Sequence, residues 1–244
     1  MKLFEIAKPK VDLAQFDVET KYDWFYNYVM LDDASAFGSN YKNWKEKNPN
    51  GHPKLFIETF RFTNKNASTY KGKLDYFDKL EQDLVKFGSD GVSFDGELYF
   101  DNVNTPGLKE HTPSFNFAFV GAFSIAQCKI KSIDDIPKWA PPKSIAFDLS
   151  YNSFKSISGI HKRITHCKIL FLVGNPIKEG GLLGLLMIKG IEKLNYSPQY
   201  LSQPAADAMN IARKYIKAGK LGSRAVIEAQ SEMLDAGLEE FATL

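Results

Sequence analysis

The stretch Leu170-Phe171-Leu172-Val173-Gly174-Asn175-Pro176-Ile177 decides the reading of the fold. Leu170 and Leu172 alternate as the inward side chains of a short strand would, because successive strand side chains point to opposite faces. Asn175 anchors the run Leu170-x-Leu172-x-x-Asn175-x-Ile177. The same order of residue types stands 23 residues earlier, as Phe147-x-Leu149-x-x-Asn152-x-Phe154. A further 24 residues back it reads Phe123-x-Ile125-x-x-Cys128-x-Ile130, and a fainter copy 25 residues before that reads Leu98-x-Phe100-x-x-Val103-x-Thr105. A period of this size predicts stacked units, each too small to bury its apolar face alone. The rival is a β-meander with accidental spacing, and Phe115, Phe117 and Phe119, which alternate between two copies, count for it. Four agreeing registers, two of them carrying Asn, favour the repeat.

The spacing lies in the range of leucine-rich repeats, whose core pattern is L-x-L-x-x-N/C-x-L. The Asn or Cys is expected to bond the turn backbone of a neighbouring unit. Residues 92–105, with Phe94-Asp95-Gly96-Glu97-Leu98-Tyr99-Phe100-Asp101-Asn102, and residues 145–157, with Asp148-Leu149-Ser150-Tyr151-Asn152, resemble the degenerate leucine-rich repeats of tailed-bacteriophage proteins. Asn175-Pro176-Ile177, Gly184-Leu185-Leu186-Met187-Ile188-Lys189-Gly190 and the tail from Gln230 to Ala242 are similar to segments of those proteins as well. The resemblance covers residues 94–244 and implies a fold and a viral origin, with no particular activity. Leu3-Phe4-Glu5 also fits the loose L-x-E pattern resembling prohead-protease sites, although an amphipathic N-terminal strand explains it equally well.

The expected architecture is therefore α/β, a short leucine-rich-repeat-like solenoid over residues 91–180. A mixed α/β region, residues 1–90, precedes it, and a helical cap, residues 181–244, follows. In the first region, residues 17–31 read as a helix burying Val18, Tyr22, Phe25 and Val29, and Asn48-Pro49-Asn50-Gly51 as a turn. Residues 55–62 end in alternation and read as a strand, and residues 74–87 as a helix closed by Gly88. In the last, residues 182–194 are apolar nearly all round and read as a buried helix. Residues 204–218 form a helix ended by Gly219. Ser223 caps a helix over 224–236 with Val226, Ile227, Gln230, Met233 and Leu234 as its apolar stripe.

Composition narrows the function classes. Hydrophobic residues at 44% and charged residues at 25% predict a packed core rather than disorder. Net charge is +2, from 31 basic and 29 acidic residues, so the chain lacks the basic excess usual in nucleic-acid binders. A local patch is the exception to weigh: Tyr41, Lys42, Trp44, Lys45, Lys47, His52 and Lys54 mix aromatics with cations. The alternative is a solvated loop with Trp44 tucked on the core. The opening residues meet Lys8-Pro9-Lys10 rather than a long apolar run, and residues 180–188 are too short to span a bilayer. With only Cys128 and Cys167, this predicts a cytoplasmic protein with free thiols, in the host cytoplasm if viral, or virion-associated.

Catalytic and metal patterns are sparse, and no cofactor is expected. There is no dinucleotide fingerprint, phosphate loop or H-E-x-x-H zinc pattern. Residues 101–107 suggest a calcium loop, but Pro106 stands where glycine belongs. His161, His166, Cys167 and Cys128 have the right ligand types for zinc. The repeat register instead makes both cysteines buried and structural, and leaves the two histidines solvated. No neighbouring base marks either thiol as a nucleophile. His52 and His111 are isolated, and the pairs Asp134-Asp135 and Glu239-Glu240 read as solvated.

The repeats also predict a surface. Ala146, Asp148 and Ser150 are expected on the concave side, followed in the next unit by Ile169, Phe171 and Val173, with Tyr99 and Tyr151 flanking. Such an apolar row marks either a binding site or an interface within the protein. The reading is a non-enzymatic module that binds a host or virion protein through this row. Two rivals stand: a self-assembling virion component, and an enzyme with its site in residues 1–90, near His52, Glu58 or Asp75.

Overall fold

Where the repeat pattern runs, the backbone forms short parallel strands. The computed structural model describes residues 36–82, 85–88, 91–103 and 116–244. The readings made for residues 3–5, 17–31 and 104–107, and for His111 and Phe115, lie outside them. The fold is mixed α/β, with an open six-stranded sheet whose order follows the chain. Its strands are β1 (Val85–Gly88), β2 (Gly91–Tyr99), β3 (Phe117–Ser124), β4 (Ser144–Asp148), β5 (Ile169–Phe171) and β6 (Lys193–Asn195). The chain divides into two units, Met1–Ser93 and Phe94–Leu244.

In the first unit, helices α1 (Ala36–Lys47), α2 (Pro53–Thr63) and α3 (Lys71–Glu81) gather around aromatic rings. Phe37 is fully buried, with the Phe60 ring at 4.9 Å and the Phe56 ring at 5.6 Å, both edge-on. Residues 55–62 are thus helix, not the expected strand. His52 Nδ1 accepts from the Lys54 amide at 3.0 Å and Pro53 stands in the first turn, so capping starts a helix there. Phe56, Ile57 and Phe60 then face inward at helical spacing, while Phe62 stays 92% exposed. The helix expected over 74–87 stops at Glu81, and Val85–Gly88 is β1 instead. Trp44 lies against Gly51, Tyr41 and Phe56, tucked on the core as one reading of residues 41–54 had it, but Tyr41 to Lys47 belong to helix α1 rather than to a loop.

In the second unit, β3 to β6 pair parallel in succession, and one register line joins Phe123, Phe147, Leu170 and Leu194. All four are buried, and so are Ile125, Leu149 and Leu172, two residues further along the chain from the first three. Phe123 meets Phe147 at 5.2 Å, and Trp139 closes over Phe100 at 5.0 Å. Fully burying each such ring or leucine contributes roughly 1.5–3 kcal/mol. A single helical turn, α4 (Ile160–Arg163), lies between β4 and β5 and buries Ile160.

Beyond the strands the chain must turn without leaving buried amides unpaired. The Asn152 carboxamide does this for two successive turns. Its Oδ1 accepts from the amides of Cys128 (3.0 Å) and Ile130 (3.1 Å), and its Nδ2 donates to the carbonyls of Ile125 (2.9 Å) and Leu149 (3.0 Å). One unit on, Asn175 Nδ2 donates to Leu149 O and Leu172 O, at 2.9 and 3.2 Å. Cys128, in the corresponding position, donates from Sγ to Phe100 O at 3.0 Å. The residue just before each of these positions, and before Val103 in the faintest copy, has a left-handed backbone: Asn102, Gln127, Tyr151 and Gly174 have φ of 64°, 58°, 55° and 71°. The amides of Asn102, Gln127 and Tyr151 bond the next turn, as in Gln127 N to Ser150 O at 3.0 Å.

Residues 182–194 do not form the expected helix. A 3₁₀ turn, Leu182–Met187, gives way to β6. Gly190 adopts φ 73°, and the amides of Lys189 and Glu192 bond Thr165 O and Lys168 O just before β5. Long-range hydrogen bonds to a neighbouring strand override the local apolar run. Helices α5 (Gln203–Lys217) and α6 (Ser223–Asp235) pack on Leu182–Met187. Ser202 caps α5, and Gly219 follows its end at φ 66°. In α6 the expected cap fails: Ser223 is the first helical residue, preceded by Gly222, whose amide bonds Leu186 O. Its buried face is Ala225, Val226, Ala229 and Met233, with Ile227 and Leu234 outside it.

Replacing Asn152 by leucine strands the Cys128 and Ile130 amides inside the turn. Each stranded buried group costs about 1–3 kcal/mol. Urea unfolding of Asn152→Leu should register a loss of at least that size with the m-value kept. Ser153→Ala, at the exposed position beside it, should unfold at the same midpoint as the parent.

Candidate functional site

The sheet of the second unit has one filled face and one open face. Phe147, Leu170 and Leu194 fill the first, so their strand neighbours occupy the other. Two register rows cross the open face: Ala122–Ala146–Ile169–Lys193, and Ser124–Asp148–Phe171–Asn195. Phe100 N donates to Ser124 O and Asn102 N to Ala126 O, the same pattern by which Leu149 N and Tyr151 N reach Phe171 O and Val173 O. That pattern sets Tyr99 beside Ser124 and Glu97 beside Ala122. The rows thus extend onto β2.

Ile169, Phe171 and Val173 are half-buried here, as are Asp148 and Ala146. Tyr99 and Tyr151 stand out at 53% and 54% exposure. Ser150 differs from its expected place on the surface, being only 5% exposed. Asp148 Oδ1 accepts the Ser150 amide at 2.8 Å, and this tight turn tucks Ser150 inward. Tyr151 is held in turn by its neighbour, since its ring lies where a Cβ on Gly174 would stand. Tyr99 donates its hydroxyl to Glu97 at 2.7 Å. Asp101 accepts from the Ser124 hydroxyl and the Ala126 amide, which ties β2 to β3 at their ends.

Glu97, Ala122, Lys193 and Asn195 belong to the same face and were not read from the sequence. The signal existed in one place: Leu194 stands 24 residues after Leu170, so the repeat period would have carried the strand, and Lys193 with it, past residue 180.

The other candidate residues do not converge. Cys128 and Cys167 are free and fully buried. Burial disfavours the thiolate and pushes each thiol up from 9.0 to about 12. His166 is exposed and joins Lys143 and Lys189 through isolated parallel bridges outside the strands. His161 was expected in solvent, but it is half-buried and its Nδ1 meets no hydrogen-bond partner. Its ring sits over Gly184, and desolvation, with Lys162 adding repulsion, lowers its pKa. Arg163 donates to the carbonyls of Ile136 and Pro137, and burial lowers its pKa too. Among the described residues no group of three or more His, Cys, Asp or Glu could hold a metal ion. In the first unit, Glu58 is exposed, Asp75 is half-buried, and His52 Nδ1 is occupied in capping α2. Asp134, Glu239 and Glu240 are exposed. No helix among the described residues is long and apolar enough to cross a membrane.

The thiols give a direct check on this packing. With both held near 12, a disulfide reagent at pH 8 should label neither cysteine in the native protein and both within the dead time in urea. Unfolded thiols ionise near 9.0 while the folded ones stay protonated to about 12, so stability should fall as pH rises between those values. Fast labelling of native protein would show that the strand core opens locally.

No protein-family model matches the chain, and no curated protein or solved structure matches it. What the chain does has to come from its own geometry.

Proposed function

We propose that the Phe94–Leu244 unit is a short leucine-rich-repeat-like solenoid, capped by α5 and α6, that works as a non-enzymatic protein-binding module. It is phage-encoded on this reading, acts in the host cytoplasm or on the virion, and engages a host or virion protein through the open sheet face. The observation that carries the reading is the half-buried row Ile169, Phe171 and Val173, set opposite a filled core and flanked by exposed Tyr99 and Tyr151. Apolar side chains placed on a surface with an aromatic rim suit a protein contact, where tyrosine is enriched and lysine and glutamate are depleted at the centre. Asp148 adds a carboxylate within the row, and the Asn152 and Asn175 ladder holds the strands that display it.

The test compares the intact chain with Phe171→Asp on affinity resin in a bacterial lysate, with thermal melting of both. The expected outcome is a protein retained by the parent, lost by the variant, at a melting temperature within a few degrees. Unfolding of Phe171→Asp would mean that the row is internal. A parent that runs as a discrete oligomer by light scattering, dissociates on Phe171→Asp and retains nothing from the lysate would replace this reading by self-assembly.

A further inference from the structure

The turn that joins α1 to α2 carries Asn50-Gly51, the one place in the chain where glycine directly follows asparagine. That pair has a covalent chemistry of its own. The Gly51 amide nitrogen attacks the Asn50 carboxamide carbon, and the new N–Cγ bond closes a succinimide ring. The Cγ–Nδ2 bond breaks, and the nitrogen leaves as ammonia with the proton the Gly51 amide gives up. Water then opens the ring at either carbonyl, leaving aspartate or, with an extra backbone methylene, isoaspartate. Glycine favours the attack because it has no side chain to crowd the approach.

The native turn holds this reaction off. The Gly51 amide donates to Asn48 O at 2.8 Å, so the attacking nitrogen is already engaged. That bond closes a β-turn with Pro49 and Asn50 at its centre. Asn50 keeps a negative φ, which makes the turn type I, with the Asn50 ψ about 0°. Ring closure needs the amide nitrogen swung back over the Asn50 side chain, and that rotation about ψ breaks the bond to Asn48. Gly51 is pinned elsewhere as well. Lys45 Nζ donates to Gly51 O at 2.8 Å, and the Trp44 indole lies where a Cβ on Gly51 would stand. Trp44 is held in turn against Tyr41 and Phe56, with ring centroids at 6.0 and 5.5 Å. The Asn50 side chain itself is exposed, so water reaches it freely.

We propose that Asn50 is a self-modification site gated by this clamp, deamidating only when the Trp44 and Lys45 contacts to Gly51 open. A segment this small opens at a fraction of the free energy of global unfolding. The change runs one way, because the ammonia is lost. An aspartate fits the same turn, whereas the longer isoaspartyl backbone cannot seat Gly51 under Trp44 again. Each opening that reacts therefore leaves a permanent mark beside His52, the residue that caps α2.

The test incubates the full chain at neutral pH, with and without guanidinium chloride. The tryptic peptide of residues 48–54 is followed by mass and by isoaspartate content. Asn50 is its only reactive asparagine, because Pro49 offers Asn48 no N–H to attack with. The native chain should gain the amide-to-acid mass at least about tenfold more slowly than the denatured one, an opening cost of at least about 1.4 kcal/mol. Lys45→Met removes the ammonium and keeps the aliphatic stem. It should raise the native rate about threefold or more with the melting temperature unchanged, since one hydrogen bond of the clamp is gone. Trp44→Leu, assayed where circular dichroism shows it folded, should raise the rate as well. Equal rates in native and denatured chain would overturn the gate. A slow native rate that neither variant moves would overturn the clamp as its cause.

Discussion

A single buried carboxamide holds this architecture in register. Asn152 pairs two amides of one turn and carbonyls of two, so the loops after β3 and β4 cannot shift past each other without stranding buried polar groups. Strands as short as Ile169–Phe171 have few ladder hydrogen bonds of their own to fix their alignment. Register matters because a one-residue slip would exchange the filled face for the open one, sending Phe147 and Leu170 into water. Asn175 repeats the arrangement one unit later, and Cys128 makes a weaker version of it with a thiol.

The left-handed residue before each of these positions is the second half of the device. Gly174 adopts that backbone freely, whereas Asn102, Gln127 and Tyr151 carry a side chain at some conformational cost. Their amides bond the neighbouring turn, which offsets it. At Tyr151 the consequence reaches the surface, because the turn sets the ring over Gly174 at the edge of the open face. The interior and the display are thus built from the same few residues.

Cysteine and histidine chemistry is subordinate to this packing. Cys128 and Cys167 are protonated because they are core residues, and no nucleophilic role follows from their presence. His161 and Arg163 lose solvent to the packing around Leu182–Met187 and Ile136 in the same way.

The sequence by itself determined the inward positions Phe123, Phe147 and Leu170 and the turn-bonding roles of Asn152 and Asn175, because the same residue types recur at the same spacing along parallel strands. It also set α5, whose apolar spacing and Gly219 are local signals. Residues 55–62 could be misread because two or three alternating apolar residues fit a strand as well as one helix face, until the His52-Pro53 start settles the matter. Residues 182–194 were beyond local reading, since an apolar run is equally suited to any buried conformation and the bonds to Thr165 and Lys168 come from more than twenty residues away. The same holds for the open face. Which of Ser150, Ile169 and Phe171 meets solvent, and that Glu97 and Lys193 end one row, depend on strand pairing across more than twenty residues of sequence, and only the tertiary structure decides that.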